Sequence, residues 1–182
     1  MMKTIRLIIQ SFFLLFLSIT VAQAQLPVKV VSGQIFLSGI APSEVKYKSV
    51  TDSLDRKLKL NPNDTTFLYY RAVLYLVFNS LIAKPDLTSN EPTDKLLIAK
   101  KLSDRADSLK MKSLDLKILS AQICKELTYR YAPAESWRFN AAQMAARKKK
   151  FDYYKDIANQ RYEQLATLDK RNAYDYQRLK IK

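Results

Sequence analysis

The sequence predicts an all-α domain behind a short extended lead-in and an export signal. Two observations carry this. Glycine is confined to Gly33 and Gly39, and from Pro42 onward apolar residues recur at the three- and four-residue steps of amphipathic helices. A third observation bounds the chemistry: the 182 residues include no histidine and one cysteine. Without histidine there is no Ser-His-Asp or Cys-His relay and no imidazole metal site. One cysteine excludes an intrachain disulfide and a structural zinc cluster, and two glycines six apart build no phosphate-cradling loop. The length suits one domain with a core large enough to stand without staples.

Residues 1–24 read as a secretory signal peptide. Lys3 and Arg6 precede an apolar run from Leu7 to Val21, and Ala22-Gln23-Ala24 supplies the small-x-small exit. The run is short of the roughly 20 residues of a spanning helix, so cleavage after Ala24 is expected rather than a retained anchor. Loss of Lys3 and Arg6 takes the net charge from +14 to +12. The chain is therefore expected to be exported, either periplasmic or secreted. Residues 25–42 form the lead-in: Leu26 to Ala41 is rich in β-branched residues and reads as an extended segment, with a short strand, clamped along the body.

The helical domain spans 43–182. Ser43 caps the first helix and Glu44 favours its positive end. Val50, Leu54, Leu58 and Leu60 form its apolar stripe, and Asn61-Pro62 stops it. Asp64 opens the second helix, Phe67 to Ala83, apolar nearly all round and so enclosed by neighbours. Arg71 lies inside it and Asn79-Ser80 interrupts it, which argues against a membrane span; a carboxylate partner for Arg71 is expected within the domain.

Residues 84–93, with two prolines, read as a loop. Thr93 or Asp94 then caps a third helix running to about Lys110, with Leu97, Leu102, Ala106 and Leu109 inward. A fourth, about 115–131, carries Leu116, Leu119, Ile123, Leu127 and Tyr131 on one stripe, flanked by Ala121 and Cys124. After Ala132-Pro133, helix resumes at Glu135-Ser136-Trp137 and reaches Leu168, with a bend expected at Arg147-Lys148-Lys149-Lys150. Residues 169–172 turn, and a last short helix uses Tyr174, Tyr176 and Leu179.

Internal self-similarity adds to this. The first helix ends LKLNPND (58–64) and the penultimate one LATLDKRN (165–172). Val50 and Leu54 with Pro62, then Leu68, Arg71, Ala72 and Tyr75, fall at the spacing of a second helix and the first helix of the next unit. Ala99, Ser103 and Ala106, followed by Lys117, Ser120, Ala121 and Cys124, repeat the pattern, and Ala158, Tyr162, Leu165 and Ala166 begin a third copy. This spacing over 43–182 resembles the tetratricopeptide repeat. The copies are 49 and 59 residues apart where that family keeps 34, Met111 and Lys170 replace a proline, and Arg71 replaces a leucine. The resemblance implies antiparallel helical hairpins stacked as a short solenoid. It further implies a non-enzymatic protein-interaction scaffold whose partner is another envelope protein or a peptide segment.

Candidate chemistry is sparse. Asp104 and Asp107 are a possible cation or acid–base pair, but Arg105 and Lys110 nearby favour a solvated mixed-charge face. Cys124 sits in a helix-packing slot and reads as structural. No catalytic residue, metal ligand or cofactor site is assigned. The paired tyrosines are expected mostly in the core with hydroxyls reaching solvent, or on a peptide-binding concave face. Trp137 either anchors the segment after the proline break or is a partner hot spot. The partner-binding candidates are Trp137, Tyr129, Tyr153 and Tyr154. Residues 138–182 hold 12 basic and 5 acidic groups, with cations interleaved with aromatics over 147–156. Arg147, Lys148, Lys149, Lys150 and Lys155 are accordingly candidates for an anionic envelope polymer, glycan or lipopolysaccharide phosphate. No nucleic-acid motif is present, and no transmembrane segment is expected after the signal.

Overall fold

The computed structural model describes residues 26–39, 43–79, 90–134 and 136–182. The signal-peptide assignment, and the part of the 84–93 loop before residue 90, lie outside them. The fold is mainly α-helical, with one two-stranded sheet. Among the described residues no helix is long and apolar enough to cross a membrane.

The lead-in is a hairpin. Strands β1 (Val28–Val31) and β2 (Gln34–Leu37) pair antiparallel, with Val30 opposite Ile35. Ser32 and Gly33 at its tip have φ of 48° and 73°, the pair of positive values that suits the right-handed twist of two strands. A Cβ at Gly33 would stand 2.9 Å from the Tyr176 ring, so glycine is required by close approach as well as by conformation.

Helix α1 (Glu44–Leu60) starts at Ser43, whose hydroxyl accepts from the Lys46 amide. Asp64 accepts from the amides of Thr66 and Phe67 at the head of α2 (Thr65–Val77), the expected cap. Eight of its residues are buried, from Phe67 to Leu76. The helix stops at Val77, where the Phe78 amide bonds to the Leu74 and Leu76 carbonyls and Asn79 donates to the Pro92 carbonyl at 2.9 Å; the rest of the expected stretch to Ala83 lies outside the described residues.

Helix α3 (Asn90–Ser108) begins before the expected Thr93 or Asp94. Pro92 is accommodated in its first turn, where a missing amide costs nothing. A turn closes it at Lys110, with φ of 63°. The Met111 amide bonds to the Ala106 carbonyl and the Lys110 amide to that of Asp107, the paired closure usually given to glycine.

Helix α4 (Leu114–Arg130) buries Leu116, Leu119, Ile123 and Leu127, with Tyr131 just beyond it. Ser136-Trp137 does not begin the next α-helix, and Glu135 lies outside the described residues. A 3-10 turn spans Ser136–Arg138, and α5 (Ala141–Leu168) starts at Asn140, which shares a reciprocal capping box with Gln143. The helix passes through 147–150 without interruption; alanine, arginine and lysine are good helix formers, and Lys148 pairs with Asp152 one turn on. A second 3-10 turn (Lys170–Asn172) leads to α6 (Ala173–Leu179).

Each helix packs on its chain neighbour, α2 also touches α4, and β2 lies on both. Arg161 bonds to the Ser120 carbonyl and Arg147 to that of Arg130, so α5 runs back along α4. With Tyr176 and Leu179 against Gly33, the hairpin is seated across the alternate helices α2, α4 and α6. Ile35, 1% exposed, joins the main core there, and its amide donates to the Gln122 side chain at 2.7 Å. Burying such a side chain contributes about 1.5–3 kcal/mol.

Candidate functional site

The aromatic and cationic side chains converge where α4 ends and α5 begins. Tyr131 is the hub. The Tyr154 ring stacks on it, with centroids 5.8 Å apart and an interplanar angle of 8°, and Tyr153 meets the Tyr154 ring edge-on at 5.0 Å. The Lys150 ammonium lies 5.1 Å from the Tyr131 centroid. The Arg147 guanidinium sits 4.2 Å from the Phe139 centroid and 5.8 Å from that of Tyr131, while donating to the Arg130 carbonyl at 2.6 Å. Cations over ring faces are attracted by the ring quadrupole, more so when partly desolvated. Burial lowers the pKa of Arg147 against the opposing pull of Tyr131. Burial, then the neighbouring Tyr131 and Tyr153, pushes the Tyr154 phenol up to about 12.

Beside this cluster is a groove of about 400 Å³, walled by Tyr131, Pro133, Met144, Ala145 and Phe151 and edged by Arg147, Lys148 and Asp152. An apolar floor with few charged groups at its margin suits an apolar side chain whose neighbours carry negative charge.

Of the expected site residues, Tyr153, Tyr154, Arg147, Lys148 and Lys150 gather at or next to the groove. Trp137, Tyr129, Lys149 and Lys155 do not line it. Trp137 is 78% exposed, so it does not anchor the segment that follows the proline. Tyr129 is half-exposed, with the Lys125 ammonium 5.9 Å from its ring. Lys149, Lys150 and Lys155 form no ion pair among the described residues. Tyr174 faces solvent rather than the core, and the Tyr69 hydroxyl is buried without an acceptor among the described residues.

Sequence reasoning passed over Met144, Phe151 and Phe139. Met144, Phe151, Ala158 and Leu165 are seven apart on α5, a stripe masked by the cations set among them.

Away from the groove, Asp104 pairs with Lys100 at 2.5 Å and Arg161 at 3.5 Å, and Arg161 also bonds Ser120 and the Cys124 sulfur. Asp104 is thus engaged by cations, and no acidic, cysteine or histidine cluster suited to a metal occurs among the described residues. Burial raises the Cys124 thiol pKa, with Arg161 opposing, so the thiol holds its proton.

A second cavity, of about 270 Å³, lies between the hairpin and the helices, walled by Ile35, Phe36, Leu76, Val77 and Leu96, with Asn79, Gln122 and Glu126 supplying polar atoms. No family model, no curated protein and no solved structure matches the chain.

Proposed function

We propose that the chain is a non-enzymatic protein-interaction module of the cell envelope, exported by its N-terminal signal. In this reading it is a tetratricopeptide-like array, with α2–α3 and α4–α5 as successive helical hairpins, α1 a leading second helix and α6 a closing first helix. Support comes from the burial of Leu68, Ala72, Ala99, Ala106, Ala121, Ala158 and Leu165, which occupy the repeat's packing slots. The contact between α2 and α4 joins the same member of successive pairs. The observation that carries the functional reading is the open groove of Tyr131, Met144 and Phe151 with its arginine and lysine margin. It takes one side chain of an envelope protein or peptide segment.

The cation cluster over 147–155 favours a second reading, a binder of anionic envelope polymer. Salt separates the two, because phosphate and carboxylate polymers release counterions on binding and an apolar contact does not. The test is a cross-linking pull-down from the cell envelope using wild type and Phe151→Asp, washed at low and high salt. A discrete protein retained at high salt by wild type and lost by Phe151→Asp supports the module. Salt-labile glycan or lipid, equal in both, overturns it in favour of the polymer.

A further inference from the structure

The cavity beneath the hairpin carries a carboxylate that no described residue hydrogen-bonds. Glu126, on α4, lines it half-buried, and burial raises its pKa, opposed by Lys125 and Arg130. No hydrogen bond or ion pair reaches its carboxylate from the described residues. Lys125 places its ammonium over the Tyr129 ring, and Arg130 is turned toward Thr93. A carboxylate partly withdrawn from water beside apolar walls, with no donor from the described residues, loses some solvation that the fold does not return.

The other polar groups of the cavity are matched to a donor as well. The Asn79 amide nitrogen is spent on the Pro92 carbonyl, which leaves its oxygen as an acceptor. The Gln122 oxygen is occupied by the Ile35 amide. The remaining walls, Leu76, Val77, Leu96 and half-exposed Phe36, are apolar.

We propose that this cavity receives a primary ammonium group on an aliphatic stem, the chemistry of a single lysine side chain of a partner protein. The stem lies along the leucine and valine walls, and the ammonium meets the Glu126 carboxylate and the Asn79 oxygen. A compact ammonium with three freely oriented donors suits two separate acceptors, whereas a guanidinium fork suits one bidentate acceptor. A hard divalent cation would need six or more oxygens. The net charge of +14 works against a polycation, so the lysine belongs to an otherwise neutral or acidic segment. Ile35 and Phe36 form one wall, so an occupied cavity also braces the hairpin on α2 and α4.

The site stands apart from the Tyr131–Phe151 groove, and it holds or falls whatever occupies that groove. The test is NMR titration of the isotope-labelled chain with n-pentylamine, with n-pentanol as the neutral match. Saturable shifts confined to Ile35, Phe36, Leu96, Gln122 and the Glu126 carboxyl are expected, about tenfold tighter for the amine than the alcohol, a difference of about 1.4 kcal/mol. Glu126→Gln should keep the spectrum of the fold and lose that preference. Equal binding of amine and alcohol to wild type overturns the proposal without recourse to any variant. So does an amine preference that persists in Glu126→Gln.

Discussion

Arg71 and Asp55 join α1 to α2 through two parallel hydrogen bonds, Nε to Oδ1 at 2.8 Å and Nη2 to Oδ2 at 3.3 Å. The guanidinium also donates to the Tyr75 and Tyr47 hydroxyls and lies 4.0 Å from the Tyr75 centroid. A position inside a mostly apolar helix thus holds a buried cation bonded to a carboxylate and two hydroxyls.

That arrangement makes the single and double substitutions unequal. Asp55→Ala strands a buried guanidinium and is expected to cost about 1–3 kcal/mol. Arg71→Leu combined with Asp55→Ala should recover most of it, because apolar replacement of an ion pair is often neutral. Urea melts of the three variants check this. A double variant no more stable than Asp55→Ala would refute it.

Seating of the hairpin depends on Ile35 and Gly33. Ile35→Ala opens a cavity in the main core and is expected to cost about 2–5 kcal/mol. Gly33→Ala drives a methyl into the Tyr176 ring and should expose the Gln122 region to hydrogen exchange while leaving α4 and α5 protected. Exchange followed by mass spectrometry distinguishes this local release from global loss of stability.

Lys110 closes the turn after α3 with φ of 63°, a left-handed conformation that costs a non-glycine residue roughly 1–2 kcal/mol. Lys110→Gly is expected to stabilise the chain by about 1 kcal/mol, read as a higher urea midpoint at unchanged slope.

Lysines 148–150 are exposed, although the Lys150 ammonium lies over the Tyr131 ring. Their joint replacement by alanine should shift stability by no more than about 0.5 kcal/mol, while lowering retention on heparin and reducing its dependence on salt. Phe151→Ala should leave heparin retention unchanged. If both variants elute alike, the division between cationic face and apolar groove fails.

Glu126 gives a pH signature. Burial raises its carboxyl pKa in the folded chain above the unfolded value near 4.3. The stability it contributes is therefore fully present below the unfolded pKa and is lost as pH rises through the folded pKa. Glu126→Gln should accordingly melt higher than wild type at pH 7, and the difference should narrow on acidification through the carboxylate range. Parallel melting curves from pH 4 to 7 would refute the assignment.

Local signals were readable and distant ones were not. Asp64 as a cap, the Leu116–Leu127 stripe and a carboxylate partner for Arg71 follow from spacing, charge and burial within one or two neighbouring helices. The early start of α3 was hidden by Pro92, which reads as a breaker unless the first turn is already placed. Lys110 gave no sign of its left-handed backbone, since glycine is the usual marker there. Trp137 misled because a lone tryptophan suggests an anchor, and only the packed structure shows its side chain exposed. The groove escaped notice because Phe151 is set among lysines, and the Glu126 cavity because its walls come from four elements distant in sequence.

The seat of the hairpin also orders events in time. Residues 28–37 are synthesised well before Gln122 and Tyr176, on which they come to rest. Neighbouring helices can pair as they emerge, through contacts of short sequence separation. The strands gain their seat on α4 only once Gln122 is made, and their contact with Tyr176 only once the last helix follows. Closing the hairpin onto α4 and α6 is therefore a contact of long sequence separation, slower to form than the pairing of neighbouring helices, and strands exposed in that interval are the ones a nascent-chain factor would shield.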